Sequence, residues 1–454
     1  MSDDLSLMTA TELAQLYRKK KVSPVETCQS IFKKIRELNP EINAFQYLNE
    51  ESALENARAS EKRWQQNASL GLVDGIPVTV KDNIHTKGWP SLSGSKLTNP
   101  KQAWDEDAPA VARLREQGAV FLGKTTMPEF AWKVTTDSPL FGITRNPWNT
   151  AYTPGGSSGG AAASTACGMG TLALASDGGG SIRVPASHCH LVGLKATHGR
   201  ISDYPPSRFG TNSNIGPIAK TVADVALMMN VISQRDSSDW YSLPDEDTNY
   251  LDELQKDIKN IKIAYSPDLG LSSLFSVDPQ ILQLTKAALN KFIKLGACVE
   301  EVTWKNDLFI DGEDAYAVMR FAMLTSLVAP YTPEQRLQMD PALVKAVDAH
   351  APVTVAQYLE AEQKRRLFGS QLNQFLSRYD LLITPTIHCL PGLVEAPAPE
   401  PYLTMAFNAS RHPAISIPCG LSREGLPVGL QLISGHYRDT FLLRAAYAYE
   451  QLIK

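Results

Sequence analysis

The stretch TPGGSSGGAAASTACGMGTLALASDGGGSIRVPASHCHLVGLKATHGR, residues 153–200, decides the fold of this chain. It carries two glycine-rich turns, at 155–160 and 178–180, and the residues between them are mostly Ala, Gly, Ser and Thr. Such small residues let backbone segments approach one another closely. The pattern predicts a tightly packed helix over 160–169 that brings the two turns together.

On either side of this stretch, short apolar runs alternate with helical patterns, which is typical of an α/β protein. A capping box at Ser23 and Glu26 marks the second of two early helices. The predicted segments are, in chain order, two helices within 9–38, a strand over 76–80, a helix over 109–117, a strand over 119–122, a helix over 221–232, a turn-rich stretch at 235–252 that leaves the main body, a strand over 261–265, several helices in 305–370, a strand over 381–383 and a last helix over 440–452.

These segments predict one domain over residues 1–454, because no repeat or long linker interrupts them. Its core spans about 70–220. A helical excursion follows at about 235–375, in the second half of the chain. Strands and a helix at about 380–454 close the fold.

Composition narrows the partners and the compartment. The 454 residues are 43% hydrophobic with a formal charge of -4, so no overall field attracts nucleic acid or an anionic membrane, and a small-molecule partner is expected. Six cysteines without CxxC spacing indicate buried free thiols rather than disulfides or zinc ligands. The sequence shows neither an apolar run of the roughly 18 residues that a membrane span needs nor a basic leader followed by an apolar run, which predicts a cytoplasmic protein.

The glycines at 178–180 precede Ser181, so backbone N–H groups can converge on one point beside a nucleophile, as in an oxyanion hole. Ser157 is held by glycines in the same way, and the two serines are positioned to share a proton. Three histidines follow the second turn, but His188, His190 and His198 lie in an apolar setting that favours a structural role.

Lys81 is the better candidate for the base that such a serine needs. It ends the apolar run at 76–80, which reads as a buried strand. Burial penalises the charged ammonium, so the pKa of Lys81 is expected to fall toward the range in which the neutral amine accepts a proton.

Residues 153–200 resemble the signature of the amidase signature family. Further similarity lies in GIPVTVKDNI around Lys81, in GKTTMPEFA at 123–131, in NPWN at 146–149, and in FNASRHPAISIPCG and GLPVGLQLIS near the end of the chain. The resemblance implies the amidase signature fold, with a large mixed central β-sheet covered by helices on both faces. Two local departures are His190 and Ala196, where the family usually has glycine and proline.

The resemblance also implies the roles of individual residues. Lys81, Ser157 and Ser181 correspond to the family's triad, in which Ser181 is the acylated nucleophile and Ser157, after a cis peptide from Gly156, links it to the lysine. The implied oxyanion donors are the N–H groups of Gly178, Gly179, Gly180 and Ser181. Ala131 matches a position on the acyl side of the cavity, and Asp177 and Arg183 are interpreted as fixing the loop, with substrate contact by Arg183 as the alternative. No metal or organic cofactor is implied, and a homodimer is compatible with the resemblance.

The expected activity is hydrolysis of a small carboxamide to a carboxylic acid and ammonia or an amine. One alternative is the glutamine-hydrolysing component of a tRNA-dependent amidotransferase, although 199–206 lacks residues typical of that component. Another is a hydrolase of ureido compounds such as allophanate or carboxybiuret, or of aryl or fatty amides. The apolar segment 315–328 favours an apolar acyl group, whereas Arg320 would suit a carboxylate. A non-enzymatic scaffold is disfavoured by the intact triad.

Overall fold

The computed structural model describes residues 4–304 and 308–453. The strands of this part of the chain are, in order, β1 Phe45–Leu48, β2 Pro77–Lys81, β3 Val120–Thr125, β4 Asp137–Ser138, β5 Gly142–Ile143, β6 Leu172–Asp177, β7 Val192–Lys195, β8 Asn214–Ala219, β9 Lys262–Tyr265, β10 Cys298–Glu301, β11 Leu381–Pro385, β12 Ala414–Leu421 and β13 Pro427–Ile433.

The α-helices are α1 Ala10–Arg18, α2 Pro24–Ile42, α3 Glu50–Gln65, α4 Pro109–Glu116, α5 Gly159–Ala166, α6 Arg183–His188, α7 Val222–Ile232, α8 Tyr250–Glu253, α9 Pro279–Lys294, α10 Leu308–Val328, α11 Pro333–Arg336, α12 Pro341–Asp348, α13 Val355–Leu376, α14 Tyr402–Ala409 and α15 Asp439–Gln451. Short 3-10 helices lie at Leu5–Leu7, Glu129–Ala131 and Gly210–Asn212. The predicted capping box is present, with Ser23 and Glu26 bonded reciprocally at the start of α2.

Eleven strands form one mixed sheet in the order β1-β3-β2-β6-β8-β7-β12-β13-β11-β9-β10. β2 runs parallel to both β3 and β6, and β9 runs parallel to β10 and β11. The other neighbours are antiparallel. The predicted α/β class and large mixed sheet are confirmed.

Helices cover both faces of the sheet. Successive residues of a strand point to opposite faces, so a strand that is apolar throughout needs a covering layer on each side. In β11, Leu381 and Ile383 pack into a core that includes residues of α7, α9 and α15, whereas Leu382 packs into a second core with α13 and α14. All three side chains are fully buried. Strands apolar on both sides are therefore the sequence signal of this layered arrangement.

The small residues of α5 allow this helix to lie against the end of β3. A Cβ atom on Gly160 would be 2.4 Å from Thr126 Oγ1 and 2.5 Å from the Thr126 amide nitrogen. Any side chain at this position would push the helix away. The helix predicted over 160–169 is thus present over Gly159–Ala166, and its composition reflects the close contact.

Two expectations from the sequence are wrong in detail. The stretch 235–252 folds back onto residues 199–203 instead of leaving the main body, because Leu243 N donates to Gly199 O and Ser242 bonds Ser202. The cysteines are free as expected, but Cys298 is exposed at the edge strand β10 rather than buried.

The range 235–375 predicted as a helical excursion holds α8 to α13, but it also contributes β9 and β10 to the main sheet. Residues 305–307, where several of the predicted helices begin, lie outside the described residues. None of the described helices combines the length and apolar character that crossing a membrane requires.

Candidate active site

Lys81 is the last residue of β2, and its side chain is fully buried. Pairing of β2 with β6 places it beside Ser176, so that Lys81 Nζ lies 3.0 Å from Ser176 Oγ and 2.8 Å from Ser157 Oγ. Burial lowers the pKa of Lys81 to about 7, against the opposing charges of Asp177 and Asp82. A substantial fraction of this lysine is therefore neutral at neutral pH.

The two glycine-rich turns meet at their serines. Ser157 follows a cis peptide bond from Gly156 and is fully buried. The amide of the next residue, Ser158, donates to the carbonyl of Ser181 at 3.2 Å, which ties the turn before α5 to the turn before α6. Ser181, 6% exposed, lines a cavity of about 600 Å³. The structure thus brings Lys81, Ser157 and the Ser181 loop into one place.

Histidine is not the partner of these serines. Within the described residues, the hydrogen bonds of the histidine rings do not reach Ser157 or Ser181. His188 is buried and its pKa is lowered to about 4 by burial, so it is neutral. Lys81 is the titratable group that bonds to Ser157 directly.

Two side chains from distant parts of the chain orient the glycines before Ser181. Tyr316 Oη in α10 donates to Gly178 O at 2.7 Å, and Thr404 Oγ1 in α14 donates to Gly179 O at 2.7 Å. In a trans peptide the N–H points opposite to the carbonyl, so each contact also fixes the amide that follows. Gly179 and Ser181 both line the cavity.

One of the four predicted oxyanion donors is already occupied. The N–H of Gly180 donates to Asp177 Oδ1 at 2.7 Å, so it is directed into the protein and not toward the cavity. Gly180 has φ +125°, and a Cβ atom there would lie 2.2 Å from Thr404 Oγ1, which explains the requirement for glycine. The candidate donors reduce to Gly178, Gly179 and Ser181.

Asp177 and Arg183 form a fully buried ion pair beneath the loop. Arg183 Nη2 lies 3.0 Å from Asp177 Oδ1, and Asp177 also accepts the amides of Gly180 and Ile182. The guanidinium is shared with C-terminal acceptors: Thr404 O, Asn408 Oδ1 and Gln431 Oε1. Since no part of Arg183 reaches the surface, its contacts are those of a loop anchor rather than of a substrate ligand.

Replacing Arg183 by methionine is expected to lower the free energy of unfolding by about 3–5 kcal/mol, because the Asp177 carboxylate stays buried without its cation. Urea unfolding followed by tryptophan fluorescence measures the change. Arg36→Met is the matched control, since Arg36 pairs with Glu50 at the surface and exposed pairs contribute about 0–1 kcal/mol. Equal losses in both variants would contradict a special role for the buried pair.

The cavity in front of Ser181 is of a size suited to a small ligand. Ala131, predicted to lie on the acyl side, is in its wall and has φ 60°. Both Tyr316 and Arg320 of α10 also line it. The other lining residues are Trp132, Lys133, Val134, Thr135, Asp137, Ile143, Gly179, Phe209, Asp340, Pro341, Ala342, Met405 and residues 394–401.

The sequence alone did not predict that the proline-rich residues 394–401 and Trp132 form part of the cavity wall. It also did not predict the contact of Thr404 with Gly179. Proline-rich loops are common surface connections, so composition does not assign this one to a pocket. The motif FNASRHP near the end of the chain could have indicated a segment that supports the Ser181 loop. It carries Asn408, which bonds both Arg183 and Asp177.

Comparison with known proteins shows the family of this chain. The Amidase family model matches residues 26–443. An acylamidase of Rhodococcus erythropolis is 34% identical over 98% of this chain and 96% of its own. The A component of a glutamyl-tRNA(Gln) amidotransferase from Alkaliphilus metalliredigens is also 34% identical, with the same shares covered. The crystal structure of a bacterial aryl acylamidase of the amidase signature enzymes superposes with a TM-score of 0.88 at 31% identity, covering 98% of this chain and 96% of that one.

Proposed function

The chain belongs to the amidase signature family and is an amidohydrolase acting on C–N amide bonds, and from this premise we propose that it hydrolyses a small carboxamide through an acyl-enzyme on Ser181. The observation that carries the proposal is the contact between Lys81 Nζ and Ser157 Oγ, 2.8 Å long, next to the loop of Ser181. A buried lysine whose pKa is near 7 is suited to general base catalysis at neutral pH.

In the acylation step, neutral Lys81 accepts the proton of Ser157 while Ser157 accepts the proton of Ser181. Ser181 Oγ forms a bond to the amide carbonyl carbon, and the carbonyl oxygen becomes an oxyanion. The amides of Gly179 and Ser181 are the donors best placed for this oxyanion, because both residues line the cavity. When the C–N bond breaks, Ser157 returns a proton to the leaving nitrogen and is reprotonated by Lys81.

Hydrolysis of the acyl-enzyme follows the same path in reverse. Water gives a proton to Ser157 while the proton of Ser157 passes to Lys81, and the water oxygen bonds to the acyl carbon. As the bond to Ser181 Oγ breaks, Ser157 gives a proton to Ser181 and regains one from Lys81. Collapse of the second tetrahedral intermediate releases the carboxylic acid and restores the Ser181 hydroxyl. The Asp177–Arg183 pair keeps the loop in place throughout, without contact with the reacting atoms.

Exposure to an alkyl fluorophosphonate tests the proposal, because this reagent phosphonylates an activated serine. We expect one adduct by intact mass, mapped to Ser181 by peptide mass spectrometry. Its rate should rise about tenfold from pH 6 to pH 8 and then level, since the neutral fraction of a lysine of pKa near 7 rises from about 0.1 to about 0.9. An adduct on another residue, or a rate that is flat or falls over this range, would count against the relay.

The second candidate is the glutamine-hydrolysing component of a tRNA-dependent amidotransferase, which the 34% identity to that component from Alkaliphilus metalliredigens favours. Release of ammonia from glutamine only in the presence of a co-purifying partner would establish it. Turnover of simple amides by the isolated chain supports the amidase instead. The homodimer and the cytoplasmic location inferred from the sequence stay predictions.

A further inference from the structure

The cation that the sequence offered as a carboxylate anchor is already paired. Arg320 Nη1 lies 2.8 Å from Glu400 Oε2, and Nη2 donates to the carbonyl of Trp132 at 3.1 Å. The Arg320 side chain is only 14% exposed. Its guanidinium therefore connects three parts of the cavity wall, namely α10, the proline-rich loop and the turn that carries Ala131, and its charge is balanced by Glu400.

The second cation of the described cavity wall is paired twice. Lys133 Nζ lies 2.6 Å from Asp137 Oδ2 and 2.8 Å from Asp340 Oδ2. These carboxylates outweigh burial and keep the pKa of Lys133 above its usual value, while the Lys133 ammonium and other donors keep the pKa of Asp340 below its own. Lys133 and Asp340 are therefore charged at neutral pH, and the one ammonium of Lys133 is shared between two carboxylate side chains, those of Asp137 and Asp340.

Glu395, on the same proline-rich loop, adds another negative charge. It is exposed and lines the cavity, and within the described part of the chain it has neither a hydrogen bond nor an ion pair. In the cavity wall as the structure describes it, two cations thus face four carboxylates. A substrate carboxylate would lose hydration on entry without finding an unpaired cation, whereas an ammonium group would meet surplus negative charge.

We propose that Glu400 and Glu395 are specificity-determining residues that make this site accept amides with an uncharged or cationic acyl chain and reject amides whose acyl chain carries a carboxylate. The inference deepens the proposed function and rests on Ser181 being the nucleophile. Glu400 is expected to contribute more than Glu395 to the rejection of carboxylates, because its removal would leave Arg320 without its carboxylate partner in the cavity wall. Glu395 contributes only surplus charge at the rim.

Three alkyl fluorophosphonates with the same six-atom chain, ending in methyl, carboxylate or ammonium, test the proposal by the rate at which each modifies Ser181. We expect the wild type to react with the carboxylate probe at least about tenfold more slowly than with the methyl probe. In Glu400→Gln the ratio of carboxylate to methyl rates should rise about fivefold to tenfold, and the ratio for the ammonium probe should fall.

The double variant Arg320→Gln/Glu400→Gln is the matched control, because it removes both charges of the pair and should cancel most of the gain in the carboxylate ratio. Glu395→Gln, at an exposed position where folding is not at risk, should raise the carboxylate ratio about twofold. Unchanged ratios in Glu400→Gln and Glu395→Gln would overturn the proposal, as would equal wild-type rates for all three probes. Failure of every probe to modify folded protein would instead overturn the proposed function and this inference with it.

Discussion

Alanine in place of Ser181 is expected to lower kcat for any amide substrate by about 10⁵-fold to 10⁶-fold, the size of loss seen when a serine hydrolase loses its nucleophile. The fold should be retained, because Ser181 contributes its backbone carbonyl, and not its side chain, to the bond with Ser158. Ammonia release from a panel of simple amides measures kcat. Intact mass after fluorophosphonate treatment should show no adduct.

Ser158→Ala is the matched control for this change. Ser158 is the neighbour of Ser157 and equally buried, but its hydroxyl donates to the backbone carbonyl of Ser176 at 3.0 Å. Its backbone bond to Ser181 survives the substitution. We expect Ser158→Ala to keep the Ser181 adduct; an adduct that persists in Ser181→Ala and disappears in Ser158→Ala would contradict the assignment of Ser181 as the nucleophile.

Methionine in place of Lys81 is expected to lower kcat by about 10³-fold to 10⁴-fold, near the upper range for loss of a general base. Methionine fills a similar volume and needs no desolvation of a charge, so the unfolding midpoint should change far less than kcat does. The residual rate should also lose its rise between pH 6 and pH 8, because the titrating amine is gone. Steady-state kinetics across this pH range, with urea unfolding of the same samples, separates the two effects.

Lys124→Met controls for burial of the lysine. Lys124 is fully buried and its pKa is likewise lowered to about 7, but its Nζ bonds to Ser91 Oγ at 2.8 Å, away from Ser157. We expect this variant to keep the pH-rate profile of the wild type. A profile that flattens in Lys124→Met and persists in Lys81→Met would reverse the assignment of the base.

Much of the candidate site could be predicted from the sequence, because Lys81, Ser157 and Ser181 lie in short local patterns. Ser157 and Ser181 are 24 positions apart within one stretch of small residues, and the helix and strand between them return the chain to the same point. Lys81 follows an apolar run that is typical of a buried strand, which gives both its place and its lowered pKa. Periodicity and burial single out these three residues as candidates, and the resemblance to the amidase signature family implies their roles as a triad.

The remainder depends on contacts between distant parts of the chain. Tyr316 and Thr404 orient the glycines from 138 and 225 positions away, and neither stands out among neighbouring residues. The hydrogen bond from the Gly180 amide to Asp177 could not be predicted either. A run of glycines shows that the N–H groups can take several directions, but not which acceptor each of them meets. Local pattern thus indicates the candidate reacting groups, and only the tertiary structure shows which side chains hold them in place.

The anchoring of the Ser181 loop has a consequence for biosynthesis. Thr404, Asn408 and Gln431 bond the loop or its Arg183, and translation adds them about 220 residues or more after Ser181. A nascent chain that already includes Lys81, Ser157 and Ser181 still lacks these contacts. During synthesis, the Ser181 loop therefore gains its full set of anchors only after Gln431 has been added.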